Sequence, residues 1–354
     1  MNVLVLNGSP RCERSNTLKL TKAFLEGIAE RTAVNIDTVS VSRLDIHECK
    51  GCFSCWKNTP GKCVIDDEMQ GIIEKMLWAD VVIWSFPLYF FSLPSRIKML
   101  IDRLLPMFFP FMDSSSSYGD HPCRYDISSQ RYVVISTCGF YTAEGNYSSV
   151  KAQFDRIYGE NNYSYIFCGQ GELFSFPELR NRTDEYLRTV KTAGVEFAGG
   201  YISESTRQKL AELLFPREVY EQMADASWGI EKDIPNCQDT DNSLSFTKQI
   251  AALYNKSAWN GKDIVVEFFY TDVKKTYQIV LQKDGHTVLA DNFLPYTTRI
   301  ETPLSVWQRI GRGEISGEQA LLDRLYTVTG DFSIMLRWDD YFGWKGNPDE
   351  KQTR

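Results

Sequence analysis

The chain has 354 residues, more than one hydrophobic core usually serves, so two domains are the default expectation. Hydrophobic residues make up 43% and charged residues 24%, an ordinary globular balance, and a net charge of −7 gives no electrostatic motive for binding nucleic acid or an anionic membrane. The opening "MNVLVLNGSPR" enters an apolar strand directly, without the basic start, long apolar core and small-residue cleavage site of a secretory signal, so a cytoplasmic location is expected.

In chain order, "VLVLN" (Val3 to Asn7) reads as the first strand and is followed by "NGSPRCERSNT". Gly8 allows a tight turn, Ser9, Ser15 and Thr17 offer hydroxyls, Arg11 offers a cationic fork, and the next helix, read from Leu18 to Ile28, begins with unpaired amides and a positive dipole end. That set suits a phosphate monoester. Neither a Walker ending nor a GxGxxG is present, and a plain strand-to-helix turn capped by Ser15 or Asn16 is the competing reading.

A second strand is expected over Val34 to Val41, and then come Cys49, Cys52, Cys55 and Cys63, four of the nine cysteines. In a reducing compartment, clustered thiols point to metal or redox chemistry rather than a disulfide framework. Their Cys-x2-Cys-x2-Cys-x7-Cys spacing can place thiolates around a 4Fe–4S cluster, whereas structural zinc more often uses two separated Cys-x2-Cys pairs. Free cysteines around a Pro-Gly turn remain the third reading. Asp66, Asp67 and Glu68 precede a helix from Met69 to Trp78, where carboxylates favour a helix start, and no catalytic role is assigned to them.

The third strand, Asp80 to Ser85, leads into "PLYFFSLPSRIKMLIDR". Asp80, Pro87, Pro94 and Arg96 interrupt this apolar region too often for a membrane span. Pro87, Leu88, Tyr89, Phe90 and Phe91 form an aromatic loop where a flat ring could lie, with core packing or a subunit contact as the alternative. A helix from Pro94 to Leu105 ends in "LLPMFFPFM", Leu104 to Met112, too apolar to lie bare. Subunit pairing or a core contact would cover it, and a homodimer or higher oligomer is expected. The fourth strand, Arg131 to Thr137, is followed by Cys138, Gly139 and Phe140, where Thr137 offers a hydroxyl and Gly139 permits close backbone approach to a ligand. A helix over Val150 to Ile157, a strand over Tyr163 to Cys168 and a helix over Thr183 to Phe197 complete an alternation that argues for a parallel sheet covered on both faces. Ligands of such sheets sit beyond the carboxyl ends of the strands, and the three loops together make a mononucleotide site.

"GSPR…SNT", "PLYFFSLPSRIKMLIDR" and "CKGCFSCWKNTPGKCVIDDEM" resemble the flavodoxin-fold NAD(P)H-dependent FMN reductases, particularly the branch related to iron-sulfur flavoproteins, over about Met1 to Gly229. The resemblance implies a doubly wound five-stranded sheet of order 2-1-3-4-5. It implies FMN phosphate binding by Ser9, Arg11, Ser15, Asn16 and Thr17, and an isoalloxazine framed by Pro87 to Phe91 and by Thr137 to Phe140. NAD(P)H would be the co-substrate, with a second, unidentified electron acceptor and no catalytic side chain. Cys49, Cys52, Cys55 and Cys63 would be the ligands of any cluster, in which case an electron carrier is the alternative function. The three histidines, His47, His121 and His286, show no metal spacing.

Residues 230–245 lose apolar periodicity and read as a linker. An amphipathic segment from Phe246 follows, then strands "DIVVEFFYTD", "KTYQIVLQKDG" and "HTVLADNF" and a strand, helix, turn, helix and final strand. Residues 246–340 thus form a smaller α+β unit, with 341–354 as a polar tail. The stretch Phe246 to Trp338 resembles the sterol-carrier-protein type 2 domain, which implies a possible apolar ligand and a third function, hydrophobic-ligand binding. Trp307, Phe332 and Trp338 are expected in its core.

Overall fold

A computed structural model describes residues 1–113, 119–228 and 241–343. It divides into two compact units, Met1–Ser175 with Thr183–Leu214, and Phe176–Arg182 with Phe215 onward.

The first unit follows the predicted alternation. Its elements are β1 (Asn2–Asn7), α1 (Asn16–Ala29), β2 (Asn35–Ser40), α2 (Ser54–Lys57), α3 (Met69–Trp78), β3 (Val81–Pro87), α4 (Ser95–Asp102), β4 (Arg131–Thr137), α5 (Ser148–Tyr158), β5 (Tyr163–Cys168), α6 (Arg180–Ala198) and α7 (Glu204–Ala211). The five strands pair in parallel in the order β2-β1-β3-β4-β5. β1 and β3 are apolar and buried almost throughout because helices cover both sheet faces, while the edge strand β2 is largely exposed. Leu4, Leu6, Val82, Trp84, Phe86 and Val134 anchor the core on one side. On α1, a side chain at Gly27 would meet the Lys191 carbonyl, and one at Gly194 of α6 the Phe24 carbonyl; these two glycines let the helices touch backbone to backbone, with Phe24 and Phe197 in ring contact at 5.3 Å.

The second unit contains α8 (Arg217–Trp228), α9 (Ser243–Ala252), β6 (Ile264–Tyr270), β7 (Lys275–Gln282), β8 (Gly285–Leu289), β9 (Thr298–Thr302), α10 (Leu304–Gly311), α11 (Gly317–Leu322), β10 (Thr327–Gly330), α12 (Ser333–Leu336) and α13 (Trp338–Phe342). Its mixed sheet runs β10-β9-β6-β7-β8, with β6 and β9 parallel and the other pairs antiparallel. Phe268, Trp307, Ile279 and Ile300 are buried in its core; Trp338 is partly buried against it, and Phe332 is exposed.

Several boundaries differ from the expectation. α8 buries Tyr220, Met223 and Ala226 and packs on α9, so the division between units falls at Leu214 rather than near residue 229. Residues 243–245, read as linker, already belong to α9, and residues 229–240 lie outside the described residues. The final strand is only Thr327–Gly330, after which the chain turns helical. Tyr341 and Phe342, placed in the tail, are core residues, and residues 344–354 lie outside the described residues. Of the apolar stretch after α4, Pro106 and Met107 are buried but Phe111 and Met112 are exposed. No described helix is long and apolar enough to cross a membrane.

Candidate functional site

The loop after β1 is held by its own side chains. Asn7, buried at the strand end, accepts a hydrogen bond from the Ser9 amide (3.1 Å) and donates to the Cys12 carbonyl (3.2 Å). Gly8 is needed because a β-carbon there would fall 2.3 Å from Ile97 Cγ1 of α4. Cys12 takes the left-handed conformation, at φ 50°, and Ser15 caps α1 by accepting from the Leu18 amide at 3.2 Å. Of the five residues assigned to the phosphate, Ser9, Ser15, Asn16 and Thr17 are buried and Arg11 is exposed. Ser15 Oγ accepts the capping bond with its O–H still available to donate, and Asn16 Nδ2 donates to the Gly171 carbonyl (2.9 Å) and Ser175 Oγ (2.8 Å). These side chains shape the loop, and the first-turn amides of α1 and the Arg11 guanidinium add anion donors to the hydroxyls there.

Thr137, the last residue of β4, joins the three loops. Its Oγ1 lies 2.6 Å from Thr17 Oγ1, and its carbonyl accepts from the Leu88 amide at 2.8 Å. The aromatic loop is a tight turn in which Tyr89 and Ser92 exchange backbone hydrogen bonds at 3.0 Å. Phe90 and Phe91 at its tip both have positive φ, 46° and 64°, a conformation that ordinarily goes to Asn or Gly. Phe90 is 97% exposed, whereas Phe91 stacks on Phe140 with centroids 5.2 Å apart and planes 15° apart. Pro87–Phe91 and Thr137–Phe140 are therefore one wall. A β-carbon at Gly139 would meet nothing nearer than Glu172 Oε2 at 3.4 Å, so that backbone has an open side.

A fourth loop, after β5, escaped the sequence reading. The Gln170 amide donates to the Phe140 carbonyl (2.7 Å), its side chain donates to the Tyr141 carbonyl (3.0 Å), and the Gly171 amide donates to the Cys138 carbonyl (2.8 Å). The signal was the pair of glycines in "CGQG" immediately after the fifth strand.

Away from these loops, the four clustered cysteines line one open recess together with Arg103, Leu105 and Pro106. Gly51 and Phe53, at φ 61° and 54°, turn the chain into α2, and the turn at Pro60–Gly61 is tied back by a bond from the Gly61 amide to the Cys55 carbonyl (3.0 Å). The long spacer before Cys63 is thus folded so that Cys63 returns to Cys55. Burial, then the neighbouring Cys63, Cys49 and Cys52, push the Cys55 thiol up, while hydrogen bonding from the Ser54 amide draws the Cys52 thiol down. Cys55 is buried, and Cys49 and Cys52 are exposed at the mouth. Among the described residues, no His, Cys, Asp or Glu side chains converge as a single metal ion requires. A cuboidal cluster makes a different demand, each thiolate binding its own iron, and an all-cysteine set around one recess fits that donor chemistry.

The recess is backed by a buried ion pair. Arg103 and Asp67 side chains are each 1% exposed and meet through two bonds, Nη1 to Oδ2 at 2.8 Å and Nη2 to Oδ1 at 2.9 Å. Asp67 also accepts from the amides of His47 (2.9 Å) and Met69 (3.1 Å), so it does serve the start of α3 and does more besides. Burial alone would raise its carboxyl; Arg103 and the two amides outweigh that and bring it down to about 2. Of the histidines, His47 lies 3.4 Å from Asp67 Oδ2, His121 meets the Trp56 ring in a tilted contact with centroids 4.8 Å apart, and burial lowers the pKa of His286.

Comparison with known proteins agrees with this architecture. Residues 1–177 match the family described as "Flavodoxin-like fold". The chain is 36% identical over 107 residues to an iron-sulfur flavoprotein of Methanocaldococcus jannaschii, covering 30% of this chain and 53% of that one. It is 38% identical over 103 residues to an iron-sulfur flavoprotein of Methanosarcina thermophila (29% and 52%), and 27% identical over 113 residues to an FMN-dependent NADH:quinone oxidoreductase of Exiguobacterium (29% and 54%). The matches thus span about half the length of these relatives. Among solved structures, an FMN-dependent NADH-azoreductase of Bacillus anthracis aligns with a TM-score of 0.41 at 20% identity, over 60% of this chain and 99% of that one. With the family match over residues 1–177 and the observed sheet order β2-β1-β3-β4-β5, the chain belongs to the flavodoxin-like fold family.

Proposed function

We propose that the chain is an FMN-dependent oxidoreductase that takes reducing equivalents from NAD(P)H and passes them to a second substrate. The observation that carries this is the junction at Thr137, where the turn after β1, the aromatic loop and the β4 end are hydrogen-bonded into one rim. Arg11 and the α1 amides would hold the FMN phosphate, and Pro87–Phe91 with Thr137–Phe140 would frame the ring. Bound flavin supplies the hydride chemistry, so the protein's part is to bind, orient and shield, and no acid or base side chain is required. The similarity to iron-sulfur flavoproteins and to an FMN-dependent NADH:quinone oxidoreductase supports the same reading. The test is the spectrum of the purified chain with excess FMN, followed by NADH and NADPH oxidation under anaerobic conditions. A protein that stays colourless refutes the proposal.

The cysteine recess favours a second reading within the first, that Cys49, Cys52, Cys55 and Cys63 hold an iron-sulfur cluster exchanging electrons with the flavin. Iron and acid-labile sulfide in anaerobically prepared protein test it. For the second unit, which would be sterol-carrier-like, a packed core around Phe268 and Trp307 favours an assembly role over an open lipid tunnel. Apolar molecules extracted from the purified chain would overturn that preference.

A further inference from the structure

A buried arginine-carboxylate pair seldom stabilises a fold more than apolar residues of similar volume, because both charges must leave water. The Arg103–Asp67 pair therefore invites a reason beyond stability, and its position offers one. Arg103 follows α4 and has five N–H donors. Three are accounted for: Nη1 donates to the His47 carbonyl (2.6 Å) and to Asp67 Oδ2, and Nη2 donates to Asp67 Oδ1. Nε is buried without a hydrogen-bond partner, and the same side chain forms a wall of the recess lined by Cys49, Cys52, Cys55 and Cys63. Cys63 is the cysteine within electrostatic reach of the guanidinium. The fork is thus clamped at one edge by Asp67 and turns a charged, donor-bearing edge to the thiols. A lysine could not do this, since its ammonium has no planar second edge.

We propose that Arg103 is a positioning residue for the group held by the four cysteines: clamped by Asp67, it aims its spare N–H donors at Cys63 and sets a fixed positive charge behind the recess. The inference rests on the iron-sulfur reading of that recess. Four thiolates gather negative charge in one place, and a buried cation with free donors stabilises ligated sulfur and favours the more negatively charged reduced state. Loss of such an outer partner typically lowers metal affinity about 10- to 100-fold.

The experiment uses the full chain as wild type, Arg103→Lys and Arg103→Met, reconstituted anaerobically with ferrous iron and sulfide. Three quantities are read: iron and sulfide per chain, the rate of iron transfer to a chelator, and the midpoint potential in a dye-mediated titration. Bound FMN and far-ultraviolet circular dichroism report folding. Arg103→Met is expected to release iron about 10- to 100-fold faster than wild type, with its potential moved in the negative direction, and Arg103→Lys to fall between. If Arg103→Met unfolds the first unit, the double variant Asp67→Asn/Arg103→Met replaces it, since removing both charges leaves neither buried alone. Equal release rates and equal potentials in loaded wild type and variant overturn the role of Arg103 and leave the cluster standing. A wild type that binds FMN but takes up no iron and sulfide overturns the cluster and the inference together, and leaves the flavin reading intact.

Discussion

Replacing Asp67 by asparagine keeps the side chain's size and removes its charge. In the native chain the Asp67 carboxyl is drawn from its ordinary 3.8 to about 2. At about 1.4 kcal/mol per pKa unit, that difference corresponds to about 2 kcal/mol of stability. The folded value lies below the unfolded one, so this contribution is fully present above pH 4 and disappears as the pH falls through 2. The variant loses more than this at neutral pH, because Arg103, 1% exposed, is left without its counter-charge; truncating one partner of a buried pair costs about 3 to 5 kcal/mol. Urea unfolding of the full chain, with pulsed hydrogen exchange reporting on β1 and β3, isolates the first unit from the second. Wild type should exceed Asp67→Asn by about 3 kcal/mol or more at pH 7, and the gap should shrink by about 2 kcal/mol between pH 4 and pH 2. Groups that titrate alike in both proteins cancel in the difference. A gap below about 1 kcal/mol at pH 7, or one that does not change with acid, would refute the reasoning.

Arg11→Ala removes an exposed cation from the loop after β1 and should weaken FMN binding about 10- to 100-fold, read by quenching of flavin fluorescence; unchanged affinity excludes a phosphate contact. Thr137→Val keeps the shape but leaves Thr17 Oγ1 facing a methyl, so it should cost about 1 to 2 kcal/mol in urea unfolding and also loosen FMN. Phe90→Gly relieves a left-handed phenylalanine whose ring is almost wholly in solvent. It should therefore raise stability by about 0.5 to 1 kcal/mol, glycine's entropy offsetting part of the gain, and a lower urea midpoint would show that the ring has a packing role.

The sheet was legible because its strands are short, apolar and separated by periodic helices. β4 and β5 run over the residues read from the sequence, as does α3. Three turns at one rim were also legible, each from its own chemistry. Their meeting point was not, since Thr17 and Thr137 are 120 residues apart and nothing local relates them. The same is true of Arg103 and Asp67, 36 residues apart: the arginine sat in an amphipathic helix pattern and the aspartate in a plausible helix start, so each had a sufficient local explanation. Four-residue α2 carries no periodicity, and its entry through a left-handed phenylalanine defies propensity. α8 was misallocated because amphipathic spacing reveals that a helix has an apolar face and not which neighbour covers it.

The path of the chain between the two units has a consequence for synthesis. The family match ends at residue 177, but the first unit resumes at Thr183 and runs to Leu214. A ribosome that has released only the matched segment has delivered all five strands and left the Phe24 face of α1 without the helix that seals it. The nascent sheet must therefore wait for some forty more residues, a delay of a few seconds at ordinary elongation rates, during which greasy surface is open to chaperones or to misassociation. Cutting the gene at the edge of the recognisable family would make that transient state permanent.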